Sequence, residues 1–297
     1  MTRNRAYLPF LAAATGIATF SAMDGLMKSA AIATGVYSAM VLRSATGAAL
    51  MFPLWKLTGG RWPQRPALKV HMLRSAVSAA MASTFFWGLV RTPMAEAIAI
   101  SFIAPLIALY LAAVMLGEKI ARKAILASVL GLAGVLVIAV ARLDGVSRGP
   151  EAGWGIVAIV VSAVLYAWNL ILQRQQAQVA DPREIALFQT GFVTLILGLG
   201  APWFLHIPPP PVLVDIFGSA LLTVISLMLL SWGYARAEAQ ALLPVEYTAF
   251  VWAALLGWVM FGEAVTAATI AGVILILIGC WIAAPRNALG PTEQTAL

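Results

Sequence analysis

The sequence predicts an all-α integral membrane protein with ten transmembrane helices, and three features support this fold class. Hydrophobic residues make up 62% of the chain and charged residues 10%, whereas soluble domains contain roughly 45–50% and about 25%. The hydrophobic residues form continuous runs of about 20 residues, the length that a helix needs to cross a bilayer. These runs lack the alternation of apolar and polar residues that is typical of barrel strands.

The connections between the runs are short, so no soluble domain is expected between them. The first run follows Arg3 and Arg5, as in a signal peptide, but it is long, and we interpret it as an uncleaved span. The one cysteine, Cys280, lies in the last run and can form no internal disulfide bond. The predicted spans are residues 6–27, 35–57, 70–90, 94–116, 120–141, 152–173, 184–205, 213–235, 240–261 and 264–284.

The basic residues predict that both termini lie in the cytoplasm. With this orientation fourteen Lys and Arg residues lie on the cytoplasmic side, four lie outside, and Arg43 lies within the membrane. This distribution satisfies the positive-inside rule. The cytoplasmic set includes Arg74, and the outer set includes Lys28 and Arg91. We attribute the net charge of +7 to this bias and not to a nucleic-acid surface, because no basic stripe is interleaved with aromatic residues.

Two similar segments, VMLGE at 114–118 and VMFGE at 259–263, indicate an internal repeat with an offset of 145 residues. At the same offset the motif Trp-Gly-x-x-Arg at 87–91 recurs at 232–236. Each copy holds five predicted spans, and because five is odd, the second copy enters the membrane from the opposite face. The sequence therefore predicts a 5+5 inverted-topology repeat. The two predicted units are residues 1–145 and 146–297.

A Gly-Glu pair ends the fourth and the ninth predicted spans. Gly117 and Gly262 can each end one helix at its C-cap. Glu118 and Glu263 can each lie at the start of the next helix, where the helix dipole favours negative charge. We interpret both pairs as tight helical hairpins, with Glu118 on the cytoplasmic side and Glu263 on the outer side.

Polar residues form one stripe along the first span and another along the sixth. Ser21, Asp24 and Lys28 are spaced by three and four residues, which places them on one helical face. The sixth span carries Ser162, Tyr166, Asn169 and Gln173 with the same spacing. Because polar side chains rarely face lipid, these stripes predict either a cavity inside the bundle or a hydrogen-bonded network between helices.

Arg43 is expected to need a partner, since a charge at the bilayer centre costs at least about 2.5–3.5 kcal/mol. Asp24 lies at a similar predicted depth, and we predict that the two residues form a charge pair. Lys28 is a second candidate cation for Asp24, because acid and base at positions i and i+4 interact on a helix. Structural pairing and substrate contact both remain open for Arg43.

Glu246 lies deep in the ninth span, two residues after Pro244. A helix that is loosened by proline exposes backbone groups, and such a site suits binding of a ligand or a proton. The alternative is a structural carboxyl that is held by Tyr247, Thr248 or a neighbouring helix.

A central cavity would also need apolar walls and positions where a lining helix is loosened, for example by proline. Phe20, Phe85 and Phe250 lie deep in predicted spans, and Pro105 interrupts the fourth span with Ser101 on its face. The predicted cavity residues are Phe20, Asp24, Ser78, Phe85, Ser101, Pro105, Tyr166, Asn169, Gln173, Glu246 and Phe250.

Other classes of function fit the sequence less well. An enzyme would need paired catalytic groups or a metal site, but the two histidines, His71 and His206, lie on opposite predicted sides. The sequence has no P-loop motif, so no nucleotide hydrolysis is predicted. We also expect no cofactor and no metal site. A channel-like facilitator stays open, and coupling of flux to an ion or counter-substrate would distinguish it from a transporter.

The segments FSAMDGLMKSA, VLRSATG and APLIALYLAAVMLGEKI, together with the 5+5 duplication, make the chain similar to the EamA type of the drug/metabolite transporter superfamily over essentially its whole length. Phe250 departs from the pattern, because it stands where Pro105 would repeat. The resemblance implies transport through a cavity lined by the first, third, fourth, sixth, eighth and ninth helices.

Transporters of this type export amino acids, including aromatic ones, while others move riboflavin, S-adenosylmethionine or drug-like cations. The deep aromatic residues favour export of aromatic or large apolar amino acids. Import of a vitamin, S-adenosylmethionine or another metabolite, and export of drugs, are the alternatives. We expect a bacterial inner-membrane protein, monomeric or weakly dimeric, with a small-molecule substrate and no nucleic-acid partner.

Overall fold

The computed structural model describes residues 7–89, 91, 100–101, 103–143, 152–261 and 267–283. Within these ranges the chain forms helices and no β-strand, which confirms the all-α prediction for the part described. Single turns of helix cover Ala201–Phe204 and Ala239–Leu242, and a 3₁₀ helix covers Leu243–Tyr247. The longer helices are α1 (Leu8–Thr34), α2 (Val36–Leu57), α3 (Arg65–Leu89), α4 (Ala104–Leu116), α5 (Arg122–Leu143), α6 (Ala152–Val179), α7 (Pro182–Gly198), α8 (Pro210–Arg236), α9 (Thr248–Phe261) and α10 (Ala267–Ala283).

Several predicted spans differ in extent from these helices; for example, α7 ends at Gly198 and not at residue 205, and α3 begins at Arg65 and not at residue 70. α1 continues past residue 27, because Lys28 stays within the helix and the chain first turns out of it at Gly35, where φ is +83°. α6 continues past residue 173 to Val179. The ninth predicted span is not one continuous helix, since Pro244 begins a 3₁₀ segment before α9. Residues 94–99 and 102 of the fourth predicted span lie outside the described residues.

By length and composition alone, three of the described helices could cross a membrane: α1, α8 and residues 153–179 of α6. α4 and the segment 270–279 of α10 are apolar but shorter. Together with the overall composition, these helices identify a membrane protein.

The most extensive helix contacts join the N-terminal part of the chain to the C-terminal part. α1 packs against α8, and α3 packs against α6. α2 packs against α7, and α5 against α10. Smaller contacts join α4 to α6 and α1 to α9. The core of the bundle is therefore built between residues 8–143 and 152–283.

The repeated Trp-Gly-x-x-Arg motif forms the same local structure in both copies. The Arg91 guanidinium lies 3.7 Å from the centre of the Trp87 ring, and its Nη1 donates to the Trp87 carbonyl at 3.1 Å. The Arg236 guanidinium lies 4.1 Å from the Trp232 ring, with the same bond at 3.1 Å. In each case a cation donates to a backbone carbonyl of the last turns of a helix, where the helix dipole favours positive charge.

The glycine of the motif permits close approach of two backbones. A Cβ atom on Gly88 would lie 2.7 Å from the Gly155 carbonyl oxygen of α6. A Cβ atom on Gly233 would lie 3.0 Å from the Pro9 carbonyl oxygen of α1. Small residues at such crossings let membrane helices pack without a gap.

The first Gly-Glu pair forms only part of the predicted hairpin. Gly117 ends α4 as a left-handed C-cap with φ of +68°, as predicted. The prediction for Glu118 is wrong in detail, because α5 begins only at Arg122 and Glu118 lies before its first turn. Glu118 instead accepts a hydrogen bond of 3.0 Å from the Ala239 amide, and lies 3.9 Å from the Arg174 side chain. Gly262 and Glu263 lie outside the described residues.

Candidate functional site

A cavity of about 220 Å³ lies inside the bundle. Its wall is formed by α1, α2, α3, α6, α7 and α8, with Ser101, Glu246 and Ala249. Part of the wall is apolar, and this part continues into a buried cluster around Met23, Met40 and Phe86. The remaining wall carries four charged side chains and a set of hydroxyl and amide groups. The charged side chains are Asp24, Arg43, Arg74 and Glu246.

The structure brings nine of the eleven predicted cavity residues onto this wall. Pro105 and Phe250 are buried but do not contribute to it. Pro105 lies in the first turn of α4, where proline is compatible with a helix. The residues on the wall are Phe20, Asp24, Ser78, Phe85, Ser101, Tyr166, Asn169, Gln173 and Glu246.

Arg74 joins α3 to the polar stripe of α6. The residue is 2% exposed, so this member of the predicted cytoplasmic set lies buried inside the bundle. Nε donates to Asn169 Oδ1 at 3.3 Å, and Nη2 donates to Gln173 Oε1 at 2.7 Å. Nη1 donates to Gln176 Oε1, and Ser78 Oγ donates to Asn169 Oδ1 at 2.8 Å. The stripe therefore lines the cavity and also forms a network between helices.

The network continues from Arg74 away from the cavity. The Gln176 amide nitrogen lies 2.6 Å from His71 Nδ1, and His71 Nε2 lies 2.9 Å from Glu184 Oε1. Glu184 lies in the first turn of α7, which begins with Asp181 as its N-cap. A continuous chain of hydrogen bonds thus connects the cavity wall with the predicted cytoplasmic ends of α3, α6 and α7.

Glu246 is buried between two tyrosines. Its Oε1 accepts a hydrogen bond of 3.1 Å from the Tyr234 hydroxyl, and its Oε2 accepts one from the Tyr166 hydroxyl. Its partners are therefore Tyr166 of α6 and Tyr234 of α8, and not the adjacent Tyr247 or Thr248. The 3₁₀ segment at Leu243–Tyr247 brings the carboxylate to this position, which agrees with the predicted effect of proline in the ninth span.

The predicted ion pair of Asp24 is not closed. Asp24 and Arg43 both lie on the cavity wall and interact electrostatically, but among the described residues no cation approaches the Asp24 carboxylate within 4.0 Å. Arg43 Nη1 contacts the Met23 sulfur at 3.0 Å, and its Nε has no hydrogen-bond partner in the part of the chain that the structure describes. Lys28 lies on the same helix as Asp24 without forming the i, i+4 ion pair, and it contacts other residues. The two charged residues lie on different helices, α1 and α2, and both line the cavity.

Arg74 is the main wall residue that the sequence analysis missed. Its position near the start of a hydrophobic run led us to count it only among the basic residues of the cytoplasmic side. The signal that could have identified it is the spacing of His71, Ser75 and Ser78 around it. Ser75 also takes part in contacts between helices, because its Oγ donates to Gln189 Oε1 at 3.3 Å. These residues form a polar stripe on α3 with the same three- and four-residue spacing as the stripes of α1 and α6.

A helical membrane protein whose interior holds a partly charged cavity of this kind has the architecture of a small-molecule transporter. The chain belongs to the EamA-like transporter family, whose sequence profile matches residues 7–140 and again residues 153–284. This match confirms the resemblance that the motifs indicated.

The chain is also similar to named transporters from bacteria. The pseudopaline exporter CntI of Pseudomonas aeruginosa strain PAO1 is 26% identical over 278 residues, which cover 92% of this chain and 94% of that protein. An S-adenosylmethionine uptake transporter of Rickettsia prowazekii strain Madrid E is 25% identical over 211 residues, covering 70% of this chain and 69% of that protein. A protein of known crystal structure shares 22% identity with a TM-score of 0.76, over 95% of this chain and 97% of that one, which shows a common fold.

Proposed function

We propose that the protein is a secondary exporter of small organic metabolites, foremost aromatic or large apolar amino acids, in a bacterial inner membrane. The observation that carries this proposal is the cavity wall, which places charged groups beside an apolar surface of Met23, Met40, Phe20, Phe85 and Phe86. Charged groups can hold the polar end of such a molecule, while the apolar surface accepts its side chain.

We also propose that the chain is a 5+5 inverted repeat, with units at 1–145 and 146–297. The family profile matches twice, at 7–140 and 153–284. The helix contacts are reciprocal, because the first helix of each unit packs on the third of the other, the second on the second, and the fifth on the fifth. The two Trp-Gly-x-x-Arg motifs form the same structure at equivalent helix ends.

Transport would proceed by alternating access, with the two units moving about the cavity. Contacts at one end of the bundle support this mechanism, since they join residues of the first unit to residues of the second and so close that end of the cavity. They include the Arg74 and His71 networks and the bond from the Ala239 amide to Glu118. In our topology this end is cytoplasmic, and these bonds must break when the cavity opens to the cytoplasm.

A second candidate is uptake of S-adenosylmethionine, because relatives of that name match the chain at 25% and 24% identity. Both functions require a molecule with polar and apolar parts, so the cavity alone does not separate them.

Purified protein in proteoliposomes tests the proposal. Vesicles loaded with radiolabelled L-phenylalanine, L-leucine, riboflavin or S-adenosylmethionine are followed for efflux and for uptake, with protein-free vesicles as the control. We expect saturable movement of L-phenylalanine or L-leucine. Faster movement of S-adenosylmethionine would favour the second candidate, and movement of none of these compounds would contradict the proposal.

A further inference from the structure

Arg43 is a buried cation whose hydrogen-bonding capacity is largely unused. The residue is 9% exposed and lines the cavity, yet its Nε has no hydrogen-bond partner among the residues that the structure describes. Its described contact is the Met23 sulfur, and a thioether is a weak acceptor. A buried guanidinium normally bonds to a carboxylate, often through two parallel bonds. The geometry therefore leaves room for an acceptor that comes from outside the chain.

Asp24 is the complementary group on the same wall. It is half-buried, and among the described residues no donor bonds to its carboxylate and no cation lies within 4.0 Å. The other two charged residues of the wall differ from this pair. Arg74 donates to three amide oxygens, and Glu246 accepts from two phenols. Of the four charges, Asp24 and Arg43 are thus the two that can bind a ligand without first losing a protein contact.

We propose that the transported molecule is a zwitterion, an α-amino acid or a compound with the same ammonium and carboxylate groups, whose carboxylate binds Arg43 and whose ammonium binds Asp24. This inference rests on the proposed transport function and defines its substrate class. A simple cation would satisfy Asp24 but leave Arg43 without an acceptor, and a simple anion would do the reverse. A zwitterion satisfies both residues, and the desolvation of each charge is then compensated.

The position of Arg43 also sets the orientation of the substrate. Its contact residue Met23 belongs to the buried apolar cluster that includes Met40 and Phe86, with Phe20 and Phe85 packed against it. A zwitterion held at Arg43 would direct its side chain onto this cluster. This arrangement favours apolar and aromatic side chains over charged ones.

Three compounds of similar size test the inference by binding. L-phenylalanine carries both charges, L-phenylalaninamide lacks the carboxylate, and 3-phenylpropanoate lacks the ammonium. Their affinities for detergent-solubilised protein are measured from the concentration dependence of thermal stability, which rises with ligand binding. We expect L-phenylalanine to bind at least about tenfold more tightly than either analogue, since each analogue loses a charge-assisted hydrogen bond.

Two variants then assign each charge to its residue. Arg43→Gln should lose the preference for L-phenylalanine over the amide but keep its preference over 3-phenylpropanoate. Asp24→Asn should show the opposite pattern. The control is Lys56→Gln, which neutralises an exposed cation near the end of α2 and should keep both preferences.

The inference is wrong if the wild-type protein binds the three compounds equally, or if it binds neither L-phenylalanine nor S-adenosylmethionine. Both measurements use the wild-type protein and so do not depend on whether a variant folds. The inference is also wrong if Arg43→Gln weakens all three compounds by one factor. Transport of riboflavin without binding of L-phenylalanine would overturn the zwitterion while leaving a transporter. Absence of transport for the whole panel would instead contradict the proposed function.

Discussion

The close approach of α3 to α6 through Gly88 can be tested by adding one methyl group. In Gly88→Ala the new Cβ atom would lie 2.6 Å from Ile159 Cγ1 and 2.7 Å from the Gly155 carbonyl oxygen. The side chain can rotate away, but the carbonyl is part of α6 and moves only if the helices separate. Such overpacking costs about 1–3 kcal/mol, against about 1 kcal/mol that alanine gains over glycine in a helix.

The expected net loss of stability is therefore up to about 2 kcal/mol, which corresponds to a fall of up to about 8 °C in the midpoint of thermal unfolding. Gly233→Ala should lower the midpoint less, because its nearest backbone atom lies at 3.0 Å. Gly191→Ala in the middle of α7 is the matched control, since nothing lies within 4 Å of its Cβ position. The assay is the temperature at which half of the monodisperse protein is lost in detergent. Equal midpoints for Gly88→Ala and Gly191→Ala would refute the close α3–α6 contact.

Three further predictions follow from the site and the topology. Arg74→Lys should reduce transport by about tenfold or more, because an ammonium cannot hold the Asn169, Gln173 and Gln176 oxygens in a fork; unchanged flux in proteoliposomes would argue against a role for this network. Tyr234→Phe should lower the free energy of unfolding by about 1–3 kcal/mol, because a hydrogen bond to a buried carboxylate is lost. Tyr37→Phe is the control. It removes a hydroxyl that bonds to the Leu197 carbonyl away from the cavity, so its transport should persist. Cysteines placed singly at 118 and 263 should react with an impermeant thiol reagent from opposite membrane faces, and reaction from the same face would contradict the inverted repeat.

The sequence predicts the helices well because a bilayer requires long apolar runs, and these runs are visible locally. It predicts their exact ends less well. α1 continues beyond Lys28 because a long cationic side chain can remain in a helix when partners lie nearby, and the end is set by Gly35. The choice of packing partners depends on surfaces that meet only in the folded chain, so the pairing of α1 with α8 was not predictable from either segment.

The same limit applies to the site. The spacing of Tyr166, Asn169 and Gln173 identified one face of α6, and the structure places that face on the cavity. The partner that these amides share, Arg74, could not be distinguished by position alone from the other basic residues of the predicted cytoplasmic side. Glu118 shows the reverse case, because its position after a glycine predicted a local role while its hydrogen bond joins it to Ala239, more than a hundred residues away.

Alternating access requires that the cavity be reachable from both membrane faces. Ser78 is suited to test it, since it lies on the wall, is half-buried, and differs from cysteine by one atom. In a Ser78→Cys protein that also carries Cys280→Ser, the introduced thiol is exposed to an impermeant reagent in right-side-out and in inside-out vesicles, with and without L-phenylalanine. We expect labelling from either side and a changed rate when L-phenylalanine is present. Labelling from one side only, under every condition, would contradict alternating access through this cavity.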